Sequence, residues 1–171
     1  MKKIILTGYM ASGKTTIALL LSKAAGVSYK DLDEIIEEGE GQSISALFEG
    51  KGEIGFRKIE HKVLKDALDR DESFVLSLGG GTPCYANNHQ FLQRKDVISI
   101  YLKATVQTLT TRLRQSEHKR PLLDHVQPDE LEDFIAKHLF DRSYYYHHAT
   151  HVVNVDNKTP EDIVNEIMSL L

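Results

Sequence analysis

A chain of 171 residues, 41% hydrophobic and 27% charged, suits one domain with a full core and is short for two. Its net charge of −4 offers nucleic acid or an anionic membrane no bulk attraction, so any anion must be held by a local site. The single cysteine, Cys84, excludes an internal disulfide, and no apolar run reaches membrane-spanning or signal-core length, so a cytoplasmic protein is expected.

Lys3-Ile4-Ile5-Leu6-Thr7 reads as a short buried strand, and residues 16–25 as a helix closed by Gly26. Between them lies Gly8-Tyr9-Met10-Ala11-Ser12-Gly13-Lys14-Thr15, with the spacing G-x-x-x-x-G-K-[ST]. Strand, glycine-bounded loop and helix N-terminus together form an anion cradle. Unpaired backbone N–H groups point at phosphate oxygens, and the helix dipole favours negative charge there. Ala11, Ser12, Gly13, Lys14, Thr15 and Thr16 are the candidate nucleotide contacts. Lys14 would reach the β- and γ-phosphates, and the Thr15 hydroxyl would ligate Mg²⁺. The stretch marks a nucleoside-triphosphate site.

Further along, residues 27–30 form a weak strand ending at Asp31-Leu32-Asp33, and 34–38 a short helix stopped by Gly39 and Gly41. Ser43 caps a second short helix that ends at Gly50 and Gly52, and residues 53–69 carry a strong helical stripe through Phe56, Ile59, Val63, Leu64, Ala67 and Leu68. Strand 74–78 runs into Gly79-Gly80-Gly81. A modest helix at 88–93, a strand at 97–102 and a helix at 105–114 follow, and the aperiodic stretch 116–125 reads as a loop. Pro128 opens a helix over 129–145 with Leu131, Phe134, Ile135, Leu139 and Phe140 recurring at helical spacing. Strand 151–155 and a helix capped by Thr159-Pro160, with Ile163, Val164, Ile167 and Leu170 inward, close the chain.

Five short apolar strands alternating with helices predict a three-layer α/β fold, a five-stranded parallel sheet flanked by helices, in a single domain over 1–171. Ligands of such sheets bind beyond the carboxyl ends of the strands, which brings Gly8–Thr15, Asp31–Asp33 and Gly79–Gly81 to one rim. A rim carboxylate can orient a substrate hydroxyl and accept its proton. Three consecutive glycines permit close approach of a ligand to the main chain. Arg57 and Arg142 taken alone are a solvated helical arginine and a dipole-stabilising one, and Arg120 is a loop arginine able to close over phosphates.

Taken together, Gly8-x-x-x-x-Gly13-Lys14-Thr15-Thr16, Asp31-Leu32-Asp33, Phe56-Arg57-x-x-Glu60, Leu78-Gly79-Gly80-Gly81, Arg120-Pro121-Leu122-Leu123 and Arg142 ahead of a tyrosine run resemble the shikimate kinase family, a group of small P-loop kinases. The resemblance covers essentially the whole chain. It implies ATP-dependent phosphorylation of the shikimate 3-hydroxyl on the way to chorismate and aromatic amino acids, with ATP as co-substrate, Mg²⁺ as cofactor, and a monomer binding neither nucleic acid nor membrane. Asp33 would then act as base, and Arg57 and Arg142 would hold the shikimate carboxylate. Gly79, Gly80 and Gly81 would contact the ring hydroxyls. Arg120 would act from a lid at about 115–125, Arg112 would pack on adenine, and Asp31 would support Mg²⁺ through water. The substrate-binding segment would span about 33–61.

The chain departs from the family pattern at Ala11, where glycine is frequent; strand 74–78 is followed by Gly79 rather than by the metal-binding aspartate of a conventional Walker B strand, which fits the family's use of Asp31. Tyr144-Tyr145-Tyr146 does not single out one tyrosine, and His147, His148 and His151 read as a solvated cluster rather than a metal site. A gluconate-type or nucleoside monophosphate kinase, or an ATP-gated regulatory module without catalysis, remain the alternatives. The missing N-K-x-D base-reading motif disfavours a GTPase.

Overall fold

The computed structural model describes residues 3–116 and 121–171. Its centre is strand β1 (Lys3–Thr7), buried along its whole length. The other strands are β2 (Ser28–Asp31), β3 (Phe74–Ser77), β4 (Val97–Lys103) and β5 (His151–Asn154). They form one sheet in the order β2-β3-β1-β4-β5, and every pairing is parallel. Parallel strands cannot be joined by hairpins, so each connection crosses a face of the sheet, and both faces end up covered.

The helices are α1 (Lys14–Ala25), α2 (Leu32–Glu40), α3 (Ile44–Asp69), α4 (Val106–Gln115), α5 (Leu131–Tyr146) and α6 (Pro160–Met168). Alternate residues of β1 feed two cores, as a pleated strand requires. Ile4 and Leu6 pack with Leu21 of α1, Leu109 of α4, Ile135 of α5 and Ile167 of α6. Ile5 packs on the opposite side with Leu32 of α2 and Phe56 and Leu64 of α3. Leu6 is fully buried, so truncation to Ala would cost about 2–5 kcal/mol. Among the described residues, no helix is long and apolar enough to cross a membrane.

Local signals in the sequence account for most boundaries. Gly26 adopts the left-handed conformation after α1, Ser43 caps α3 through the Ala46 N–H, and Thr159 with Asp162 makes a reciprocal capping box on α6. The short helix expected up to Gly50 and Gly52 and the long one expected over 53–69 run together in α3, broken only at Gly52, where φ 68° and ψ 175° leave the helical region.

The modest helix expected at 88–93 is a 3-10 helix. Other expectations are corrected: α5 begins at Leu131, after a turn, instead of at 129. Phe140 is 78% exposed and Leu170 38% exposed, so neither faces the core. Leu170 lies beyond the last turn of α6, where helical spacing no longer dictates direction.

The order β2-β3-β1-β4-β5 sets the loops after β1 and β3 side by side at the carboxyl rim. Leu78 N–H donates to Leu6 O over 3.1 Å, carrying the β1–β3 pairing up to the point where both loops leave the sheet. A Cβ on Gly80 would lie 3.6 Å from Gly8 O and from Met10 N, so the glycine triplet rests against the nucleotide loop.

Candidate active site

The loop after β1 is held by its own lysine. Lys14 Nζ donates to Gly8 O and Tyr9 O, each over 2.9 Å, and Ser12 N–H donates to Tyr9 O over 3.1 Å. Gly8 has φ +150°, and a Cβ there would meet Leu102 O at 2.8 Å, so β4 leaves room only for glycine. Ala11 sits at φ 63°, a left-handed conformation that a side chain tolerates poorly. Arg112 of α4 donates from Nη1 to Ala11 O (3.1 Å) and Ser12 O (3.2 Å), bracing the loop from outside. Beside it opens a cavity of about 270 Å³ lined in part by Gly13, Thr16, Arg112, Lys158 and Pro160. Thr15 and Thr16 are both exposed at the start of α1.

Beyond β2, the two aspartates take different roles. Asp31 caps α2, its Oδ1 accepting from Asp33 N–H over 2.9 Å, while its Oδ2 accepts from the Tyr29 hydroxyl at 3.4 Å. Asp33 instead lines a cavity of about 170 Å³ together with Phe48, Arg57, Glu60 and the glycine triplet. Burial pushes its carboxyl up to about 6, reinforced by repulsion from Asp31 and Glu60 and opposed by Lys14.

Arg57 forms the opposite wall. Its Nη1 donates to Glu60 Oε2 over 2.8 Å, and its guanidinium lies 3.9 Å from the Tyr85 ring centroid. The buried Arg57 Nε has no hydrogen-bond partner. Glu60 is only 1% exposed and spends its second oxygen on the Thr82 hydroxyl, which donates to Oε1 over 2.7 Å. Arg57 is therefore oriented by a buried carboxylate that is itself fixed. A Cβ on Gly81 would come 2.9 Å from Arg57 Nη2, and one on Gly79 3.3 Å from Asp33 Oδ1. Side chains at either position would crowd the groups that face the cavity.

Arg142 approaches from α5. Its guanidinium lies 5.9 Å from the Tyr9 ring centroid, and its Nη1 would be 3.4 Å from a Cβ on Gly80. One turn on, fully buried Tyr146 donates its hydroxyl to Gly80 O over 2.6 Å. Cys84, nearby, has its thiol pushed up to about 11 by burial and is no nucleophile at neutral pH.

The fold thus brings Asp33, Arg57, Gly79, Gly80, Gly81 and Arg142 to one side of the nucleotide loop and places Arg112 on the other. Asp31 stands at the Tyr29 side of the loop, out of the cavity that Asp33 lines. Arg120 lies outside the described residues, as does the middle of the expected lid at about 115–125. His147 and His148 turn Nδ1 to their own helix, at 2.7 Å from Ser143 O and 3.0 Å from Tyr144 O.

Several residues emerge only with the structure. Tyr146 is the tyrosine that reaches the rim, whereas Tyr144 is 65% exposed. Thr82 and Lys158 carried no signal in the sequence. Glu60 did: it falls four residues after Phe56 and four before Leu64, both buried, so it occupies the core face of α3.

Comparison with known proteins agrees with this geometry. The family model for shikimate kinase matches residues 10–171. A shikimate kinase of Flavobacterium psychrophilum is 55% identical over 171 residues, covering 100% of this chain and 99% of that one. The crystal structure of a shikimate kinase from Bacteroides thetaiotaomicron superposes with a TM-score of 0.89 at 34% identity, covering 99% of this chain and 97% of the other. A shikimate kinase from Acinetobacter baumannii in complex with shikimate gives 0.86 at 31% identity, covering 99% and 92%. With a nucleotide loop, a buried carboxylate facing a fixed arginine, and relatives matched end to end, the chain belongs to the shikimate kinase family.

Proposed function

We propose that this chain transfers the γ-phosphoryl group of ATP to the 3-hydroxyl of shikimate, using Asp33 as base and Arg57 and Arg142 as the carboxylate clamp. The observation that carries the reading is the cavity in which the Asp33 carboxylate and the Arg57 guanidinium face one another across the glycine triplet. A small carboxylated polyol needs a cationic fork at one end and a carboxylate at its reacting hydroxyl, and the cavity has that polarity.

In the reaction, the 3-hydroxyl oxygen forms a bond to the γ-phosphorus as the bond from that phosphorus to the bridging oxygen of ADP breaks. The hydroxyl proton passes to Asp33. With its carboxyl at about 6, Asp33 is ionised at neutral pH yet more basic than an ordinary aspartate, as a proton acceptor in this step requires. Lys14, released from Gly8 O and Tyr9 O, would neutralise charge on the transferring group, with Arg120 closing from the lid. Arg112 would flank the adenine in the cavity beside Thr16, and Gly79–Gly81 would admit the ring hydroxyls.

Mg²⁺ fits the donors present. The Tyr29 hydroxyl interacts with both Thr15 and Asp31, so a hydroxyl and a carboxylate converge beside the loop, the hard oxygen donors this ion takes. Thr15 and Asp31 would hold the ion, which would supply Lewis-acid charge to the phosphates.

Incubation with Mg·ATP and equal concentrations of shikimate and gluconate tests this reading. Shikimate 3-phosphate, identified by phosphorus NMR and mass, is the expected product. Phosphogluconate would assign the cavity to a different acceptor, and nucleotide binding without acceptor-dependent ADP release would make the chain a regulatory module.

A further inference from the structure

Three residues of α5 at four-residue spacing, His138, Arg142 and Tyr146, lie along one face of the helix and meet both loops of the rim. Tyr146 fastens the far end to Gly80 O. At the near end the Tyr9 hydroxyl lies 2.9 Å from His138 Nδ1, and the two rings meet edge to face, 5.5 Å apart and at 86°. Arg142 sits between these two attachments, over the Tyr9 ring. We propose that Tyr9 and His138 form a positioning pair, tying α5 to the nucleotide loop so that Arg142 is held at the acceptor cavity.

The direction of the hydrogen bond follows from the surroundings. Tyr9 is 1% exposed, and burial holds its phenol protonated, up to about 12, with Arg142 opposing. Burial, with Arg142 adding to it and Asp141 opposing, lowers His138 below the usual histidine value, so its ring is neutral at neutral pH. A protonated phenol donating to a neutral imidazole places the imidazole proton on Nε2 and the acceptor lone pair on Nδ1. The contact joins a residue of the nucleotide loop to one four residues from Arg142 on the same helix face, so losing it frees that turn to drift. Misplacement of a substrate-positioning group by about 1 Å is enough to impair a reaction.

The proposal rests on the reading of Arg142 as a carboxylate partner, and the test separates the two. Steady-state constants for shikimate and ATP are measured for Tyr9→Phe, His138→Leu and His138→Asn, and for Tyr9→Phe on an Arg142→Ala background. Tyr9→Phe and His138→Leu are expected to raise the shikimate KM about three- to tenfold, with the ATP KM changed less than twofold. In His138→Asn the side-chain oxygen takes the place of Nδ1, and the shikimate KM should stay within twofold of the parent. On the Arg142→Ala background, Tyr9→Phe should add less than twofold. Equal rises in both KM values, or an undiminished effect without Arg142, would overturn the pair's role. A raised KM in Arg142→Ala together with a parent-like KM in the single variant Tyr9→Phe overturns the link alone, whereas a parent-like KM in Arg142→Ala overturns the assignment of Arg142 and the link together.

Discussion

Arg57 and Glu60 form an ion pair of 2.8 Å whose carboxylate is sealed from solvent, and the same carboxylate is held from behind by Thr82. A pair of this kind contributes less to stability than its Coulomb attraction suggests, because both groups lose hydration. Its value here is orientation: Arg57 arrives at the acceptor cavity with its fork already fixed, and little rotamer freedom is lost when a substrate binds.

Glu60→Ala removes the closer of the two carboxylates paired with Arg57, leaving only Glu53 Oε1 at 3.9 Å, and should destabilise the protein by about 3–5 kcal/mol. Glu60→Gln keeps an acceptor, and its loss should be closer to ~1–2 kcal/mol. Urea denaturation separates the two. Similar losses in both variants would mean that the charge of Glu60 is irrelevant and only its shape matters.

Arg57→Ala should weaken shikimate binding by about 1.5–3 kcal/mol, the range for a lost charged hydrogen bond. Equilibrium titration with shikimate reads this directly, and circular dichroism reports whether the fold survives with Glu60 unpaired. A folded variant with parental affinity would make Arg57 a structural residue.

Asp33→Asn should make the protein more stable at neutral pH while impairing it as an enzyme. The folded-state pKa of about 6 lies above the ordinary 3.8, so the folded protein binds more protons than the unfolded chain between these values. The stability contribution of Asp33 is therefore fully present below about pH 4 and lost as pH rises through about 6. Above that, the ionised carboxylate costs the fold on the order of 1–3 kcal/mol. Asparagine removes this cost, so the variant should melt several degrees above the parent at pH 7.5 and level with it near pH 4. A variant less stable than the parent at pH 7.5 would mean that Asp33 makes favourable contacts as an anion.

Ala11→Gly should relieve the left-handed backbone at φ 63°. The strain, on the order of 1–2 kcal/mol, is partly offset by the greater freedom of glycine in the unfolded chain. The net expectation is a gain of about 0.5 kcal/mol in thermal unfolding, and a loss would show that the Ala11 methyl packs usefully.

Much of this molecule is legible in the order of its residues because the signals are local. Gly8 to Thr15 combines a turn, a helix start and a lysine in one short stretch, and the parallel sheet follows from apolar runs alternating with helices. What stayed hidden depends on how elements cross. Helical spacing shows that α5 has an inner face, but which of Tyr144, Tyr145 and Tyr146 reaches Gly80 depends on the angle at which the helix passes the rim. Phe140 recurs at helical spacing with the apolar residues of α5, yet it falls between the buried rows and points to solvent. Asp31 and Asp33 look equivalent in sequence. They separate only because one serves as the cap of α2 and the other follows the helix into the cavity.

The most direct test of the central claim, that Asp33 is the proton acceptor at the acceptor cavity, is kcat/KM for shikimate between pH 5 and 8 in the parent and in Asp33→Asn. The account predicts a parental profile that falls about tenfold per pH unit below about 6, since the base must be ionised. It predicts an Asp33→Asn profile about 10²–10⁴-fold lower at pH 7.5 and without that acid limb. An Asp33→Asn enzyme of near-parental activity, or one that keeps the same acid limb, would contradict it.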